Sequence, residues 1–121
     1  METLIRQRSE LMDSILNSVK KFLGISPDDT SFDDNIIICI NSVFTSLSQI
    51  CEGLPKNFNI TDKTSVWKDY IEDEELIGAI TTYICLKVRL LFDPPASSVI
   101  IESTNRIISE SEWRIQKLVD G

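Results

Sequence analysis

Apolar positions recur at helical spacing in several stretches of this chain, and one stretch is apolar on two sides. Leu76, Ile77, Ile80, Ile84, Val88 and Leu91 form one set; Ala79, Tyr83, Leu86 and Leu90 form a second. One set is the buried stripe of an amphipathic helix. Two sets predict a helix covered over most of its circumference. This segment, at roughly 74–92, is the expected centre of the fold. Asp93-Pro94-Pro95 stops it, because Pro94 disfavours helical geometry at Asp93 and neither proline donates a backbone hydrogen bond. The same three residues are expected to open the next helix, with Asp93 as N-cap and a proline in its first turn.

The other elements follow from the same periodicity. Leu11, Ile15, Val19 and Leu23 fall on one stripe, with Ser9 as expected cap and Gly24 suited to the left-handed position past the end. Residues 1–8 form an extension before it. A second helix is expected from Phe32 or Asp34 to Cys51, with Ile36, Ile37, Ile40, Val43, Phe44, Leu47 and Ile50 on one face. Gly53 and Pro55 end it, and residues 52–63 read as a loop holding a short hairpin arm or extended segment. One or two helical turns are expected over 64–71, capped by Thr64 or Ser65, with Trp67 and Tyr70 as a lid on the core. The last helix is expected from about Pro95 to Leu118, with Val99, Ile100, Ile101, Ile107, Ile108, Ile115, Leu118 and Val119 supplying its apolar side. There Glu102, Arg106, Glu110 and Arg114 alternate in sign every fourth residue, the pattern of a ladder along a polar face.

At 121 residues and 42% apolar content the chain suits one domain with a core of its own. The expected architecture is all-α, a compact bundle of four to five helices around the central one. The net charge of −7 argues against wrapping nucleic acid, which needs a basic face. No apolar run approaches the ~18–20 residues of a membrane span, and the N-terminus lacks a signal-peptide core. Three widely spaced cysteines fit reduced thiols. Together these point to a chain made and kept in a cytoplasm.

No set of residues points to catalysis. There is no histidine, the commonest general base and metal ligand. Cys39, Cys51 and Cys85 fit no zinc spacing. The turn at 26–34 holds four aspartates but lacks the glycine and terminal glutamate of a calcium loop. The run Glu72-Asp73-Glu74-Glu75 complements the positive end of the helix that follows. Catalytic, cofactor-binding and metal-binding residues are therefore all expected to be none, and the chain is expected to work by binding other proteins. Candidate contact residues are Arg6 and Arg8 in the extension, Phe58 and Ile60 in the 53–63 loop, and Arg106, Trp113 and Arg114 in the last helix. Phe58 and Ile60 either fold back on the core or touch a partner. Trp113 lies between two faces, suiting a subunit contact or burial equally.

The order of features carries a resemblance. Lys-Lys-Phe-Leu-Gly-Ile (20–25) precedes Thr-Ser-Phe-Asp (30–33) and Ile-Asn-Ser-Val-Phe-Thr-Ser-Leu-Ser-Gln (40–49). Gly-Leu-Pro-Lys-Asn-Phe-Asn-Ile (53–60) and Val-Trp-Lys-Asp-Tyr (66–70) come next. Lys-Val-Arg-Leu-Leu-Phe-Asp-Pro-Pro (87–95) and Glu112-Trp113-Arg114 are the most specific parts. The whole resembles the small head–tail connector proteins of tailed phages and prophages of Gram-positive bacteria. Ile50-Cys51-Glu52-Gly53 stands where that family would have a glycine-rich stretch. The resemblance implies a virion protein at the head–tail junction, assembled in the host cytoplasm as a ring of about twelve copies. Its partners would be itself, the portal protein and the next head- or tail-completion protein. DNA would be passing cargo, with no membrane partner. The alternative is a small acidic helical regulator, an anti-repressor or antitoxin-like adaptor of a phage or prophage.

Overall fold

A computed structural model describes residues 11–121. Five helices follow in order: α1 (Ile15–Leu23), α2 (Asp33–Ile50), α3 (Trp67–Tyr70), α4 (Glu74–Phe92) and α5 (Ser98–Asp120). The architecture is the expected all-α bundle, with α4 packed against α1, α2 and α5.

The end of α1 is where the sequence placed it. Gly24 takes φ 81, and its N–H and that of Ile25 return to the carbonyls of Lys21 and Lys20. The start of α1 differs. Ser14 is its cap, with Oγ accepting from Asn17 N–H at 3.2 Å. The expected cap, Ser9, lies outside the described residues. The chain leaves helical geometry at Asp13 and Ser14 to pair with the segment before α3. Ile15 N–H donates to Ser65 O at 2.9 Å, and Trp67 N–H donates to Asp13 O at 3.2 Å. This bridge between Ser14 and Val66 is the one β-type pairing among the described residues.

The segment between α2 and α4 is irregular, yet it sends Cys51, Leu54 and Ile60 into the core. No strand forms over 53–63. Instead the Asn41 side chain acts as a strand edge: its Nδ2 donates to Ile60 O at 3.0 Å, and its Oδ1 accepts from Ile60 N–H at 2.8 Å. Ile60 is 1% exposed. The Phe58 ring packs against Phe44 and Tyr70, with centroids 5.1 and 5.0 Å away, and Tyr70 lies 4.6 Å from Phe44. Such pairs add about 0.5–1.5 kcal/mol each beyond burial. Trp67, fully buried, donates its indole N–H to Ser18 Oγ at 3.1 Å. α3 is a single turn within the expected span, and its cap is Val66 in place of Thr64 or Ser65, with the Val66 N–H taken by the Asp69 carboxylate at 2.9 Å.

α4 starts on Asp73, whose carboxylate accepts from Leu76 N–H at 3.1 Å, and it ends before Asp93. Leu76, Ile77, Ile80, Tyr83, Ile84, Cys85 and Val88 are buried; Ala79, Leu86 and Leu90 are half-buried. The cover is less complete than expected. Leu91 is 58% exposed, because the other elements do not reach over the last turn on its side. The link to α5 also corrects the sequence reading. Asp93, Pro94 and Pro95 stay outside the helix, and Ser97 is the cap, its Oγ accepting from Ile100 N–H. A serine three residues before a free N–H supplies the capping bond that Asp93, followed by two prolines, cannot deliver. At the far end Gly53 has φ 100, and a Cβ there would lie 2.7 Å from Val119 Cγ1. The last turn of α5 rests on that glycine.

Replacing Asn41 by Ala strands two buried backbone groups of Ile60, at a cost of about 1–3 kcal/mol for each group left unpaired. Urea unfolding should show a loss of about 2–4 kcal/mol, while Asn35→Ala on the exposed side of α2 should change stability by less than about 0.5 kcal/mol.

Candidate interaction surface

Side chains that face inward cannot meet a partner, so the site is built from what the fold leaves outside. The core-facing line of α5 is Thr104, Ile108, Ser111 and Ile115. Two of these four are hydroxyl residues, and Thr104 satisfies its own Oγ1 by donating to Ile100 O at 2.7 Å. The helix therefore buries few of its large apolar side chains. Val99 (69%), Ile100 (53%), Ile107 (45%) and Trp113 (65%) are exposed. Counting apolar residues placed Val99, Ile100 and Ile107 on the core side. The better signal was the 4-3-4 spacing of Thr104, Ile108, Ser111 and Ile115, which small polar residues conceal.

Val99, Arg106, Trp113 and Lys117 lie on the side of α5 opposite that line, and all are exposed. Lys117 Nζ sits 5.5 Å from the Trp113 ring centroid. An exposed pair of this kind contributes about 0.5–1 kcal/mol. Arg114 stands on the flank beside Ile100 and Ile107. The expected ladder is not closed as ion pairs. Among the described residues the single salt bridge within 4 Å is Lys20 to Asp33, so Glu102, Arg106, Glu110 and Arg114 reach no opposite charge there. Arg106, Trp113 and Arg114 are thus together on one exposed helix.

The other expected contact residues lie elsewhere. Ile60 is in the core and Phe58 is half-buried against Phe44 and Tyr70, so both turn inward from the 53–63 loop. The Asn41 amide pulls Ile60 in, and the two-residue alternation carries Phe58 to the aromatic cluster. The side chains that the loop shows to solvent are polar, Lys56, Asn57, Asn59, Thr61, Asp62 and Lys63, with Asn57 at φ 63. Arg6 and Arg8 lie outside the described residues.

The acidic turn at 26–34 is organised by a cation, the Lys20 ammonium. Lys20 is 1% exposed; its Nζ donates to Asp29 O at 2.7 Å and Pro27 O at 3.2 Å, and it lies 2.8 Å from Asp33 Oδ1. Three oxygens replace its water, as a buried ammonium requires. Asp29 accepts from Ser31 N–H, and that bonding holds its carboxyl below the usual aspartate range. These carboxylates serve the turn's own structure.

The thiols are equally spoken for. Burial pushes Cys85 up to about 12 and raises Cys39. Burial raises Cys51 too, helped by the carboxylates of Glu112 and Asp120. Tyr83 Oη donates to Glu112 Oε1 at 3.3 Å, tying α4 to α5; burial, with that carboxylate, pushes its phenol upward. The clefts are shallow. One of about 270 Å³ lies between α2 and α4, lined by Ser42, Val43, Ser46, Lys87, Leu90 and Leu91. A larger groove of about 780 Å³ along α1 is lined by polar residues including Asp13, Asn17 and Lys21. No helix among the described residues is long and apolar enough to cross a membrane. A thiol reagent at pH 8 should label Cys39 first, and Cys51 and Cys85 only at the rate of unfolding, because Cys39 is partly exposed and the other two are buried. Rapid labelling of all three would contradict this burial.

The model of a protein family described as phage connector protein matches residues 15–121. No curated protein and no solved structure matches the chain.

Proposed function

We propose, from the premise that this chain belongs to the phage connector protein family, that it is the subunit of a head–tail connector ring. Membership makes it a structural phage protein that assembles with other virion components, in a family that does not act by catalysis. In the proposed role about twelve copies close into a ring through heterologous contacts, in which two different surfaces of each copy meet. The ring docks beneath the portal at the head vertex, carries the next completion protein and lets DNA pass through its channel. The observation that carries this reading is the family match over nearly the whole chain, joined to an α5 that leaves four large apolar side chains uncovered. A patch of that kind on a small protein asks for a partner. The regulatory alternative has no observation in its favour.

The proposed contacts are the extension before residue 9, the polar rim of the 53–63 loop and the exposed face of α5. Exposed tryptophan and arginine are the residue types that dominate binding energy at interfaces. Trp113→Ala should therefore weaken ring formation or portal binding by about 2 kcal/mol or more, near thirtyfold, with unchanged far-ultraviolet circular dichroism. Native mass spectrometry and electron microscopy with purified portal read this directly. Normal assembly by both Trp113→Ala and a chain lacking residues 1–8 would remove these contacts from the reading.

A net charge of −7 per copy gives a channel little to offer phosphate. DNA then slides without releasing counterions. DNA binding by the isolated protein should be weak, with an affinity nearly flat between low and physiological salt. Tight, steeply salt-dependent binding would overturn the passive-channel reading.

A further inference from the structure

The outward line of α5 reads Val99, Ser103, Arg106, Glu110, Trp113 and Lys117, and every one of these residues is exposed. Their spacing is 4-3-4-3-4, the seam of two-stranded helical packing. The line is also antisymmetric about its middle. Turned end for end on a second copy, Arg106 faces Glu110 and Glu110 faces Arg106. Trp113 faces Ser103, a large ring against a small side chain. Val99 faces the aliphatic stem of Lys117, whose ammonium already lies over the Trp113 ring. Ile107, 45% exposed on the flank, meets its own copy beside the twofold axis. The charges are available for this, since neither Arg106 nor Glu110 has an ion-pair partner within 4 Å among the described residues.

The geometry points to an antiparallel twofold dimer of this chain through the outward face of α5. The occupant of that face in the free protein is thus a second copy of the same helix. The contact is isologous, so one partner saturates it and it cannot propagate into a ring. It keeps the exposed tryptophan covered until assembly partners compete for the face. The inference does not rest on the ring reading, because it concerns the free chain alone.

A single helix pair buries little area, so the dimer is weak, with Kd of about 10–100 µM. Sedimentation and native mass spectrometry across that range should show a monomer–dimer equilibrium. Arg106→Glu alone places four carboxylates at the centre of the dimer, and Glu110→Arg alone places four guanidiniums there. Each should weaken self-association at least about tenfold. The double variant R106E/E110R restores complementarity and should dimerise as the natural chain does. Mixing the two single variants should yield a one-to-one heterodimer stronger than either homodimer, because an all-acidic centre then meets an all-basic one. All substitutions are on the exposed surface, and circular dichroism checks that each variant is folded. A chain that stays monomeric to about ten times the expected Kd, a dimer indifferent to Arg106→Glu, or a mixture without heterodimer would each overturn the inference.

Discussion

The amide of Asn41 holds both backbone groups of Ile60, and the order of the chain between α2 and α4 depends on that pair of bonds. A buried irregular segment must find partners for its peptide groups or stay in water. Here a side chain on a helix supplies what a neighbouring strand would supply in a sheet. With Ile60 fixed, Phe58 reaches Phe44 and Tyr70, and the aromatic cluster closes over the core. With that segment in place, Ser65 and Val66 can meet Ser14, and Trp67 can reach Ser18. One polar residue thus lets a helical bundle carry a long connection inside its apolar volume.

The helices were legible because their signals are local. Gly24, the Asp93-Pro94 stop and the stripes of α2 and α4 each act within a turn or two, and the structure keeps them except in the last turns, where Ile50 and Leu91 stay exposed. The connection at 53–63 was less legible, because its conformation is decided by Asn41, well before it in sequence. Asn41 sits on a helix among apolar neighbours and looks like any polar interruption. α5 hid its orientation for a different reason. Its buried line contains Thr104 and Ser111, so apolar counting alone misjudges which side faces the core. The Asp93 cap failed against a better-placed competitor, since Ser97 reaches a free N–H without prolines in the way.

As part of a phage connector, the molecule divides its labour between a closed interior and a dressed exterior. Charge and thiol chemistry are used up inside: Lys20 is bound by three oxygens, and Cys51 and Cys85 are sealed. What remains outside is a surface of shape and charge pattern. That is the economy expected of a structural protein that meets its neighbours through its surface. The exposed arginines and tryptophan of α5 are residue types enriched at such surfaces.

Gly53 gives that surface a hidden adjustment. The last turn of α5 settles against a backbone with no side chain, and φ 100 makes the site uncomfortable for any other residue. A single added carbon would act as a wedge beneath Val119 and lift the end of the helix. Because α5 is a rigid rod, a small lift at its foot becomes a change of tilt along its whole length. The angle at which the molecule presents its outer wall is therefore governed from a loop at the opposite end of the rod from Val99, by the absence of a methyl group.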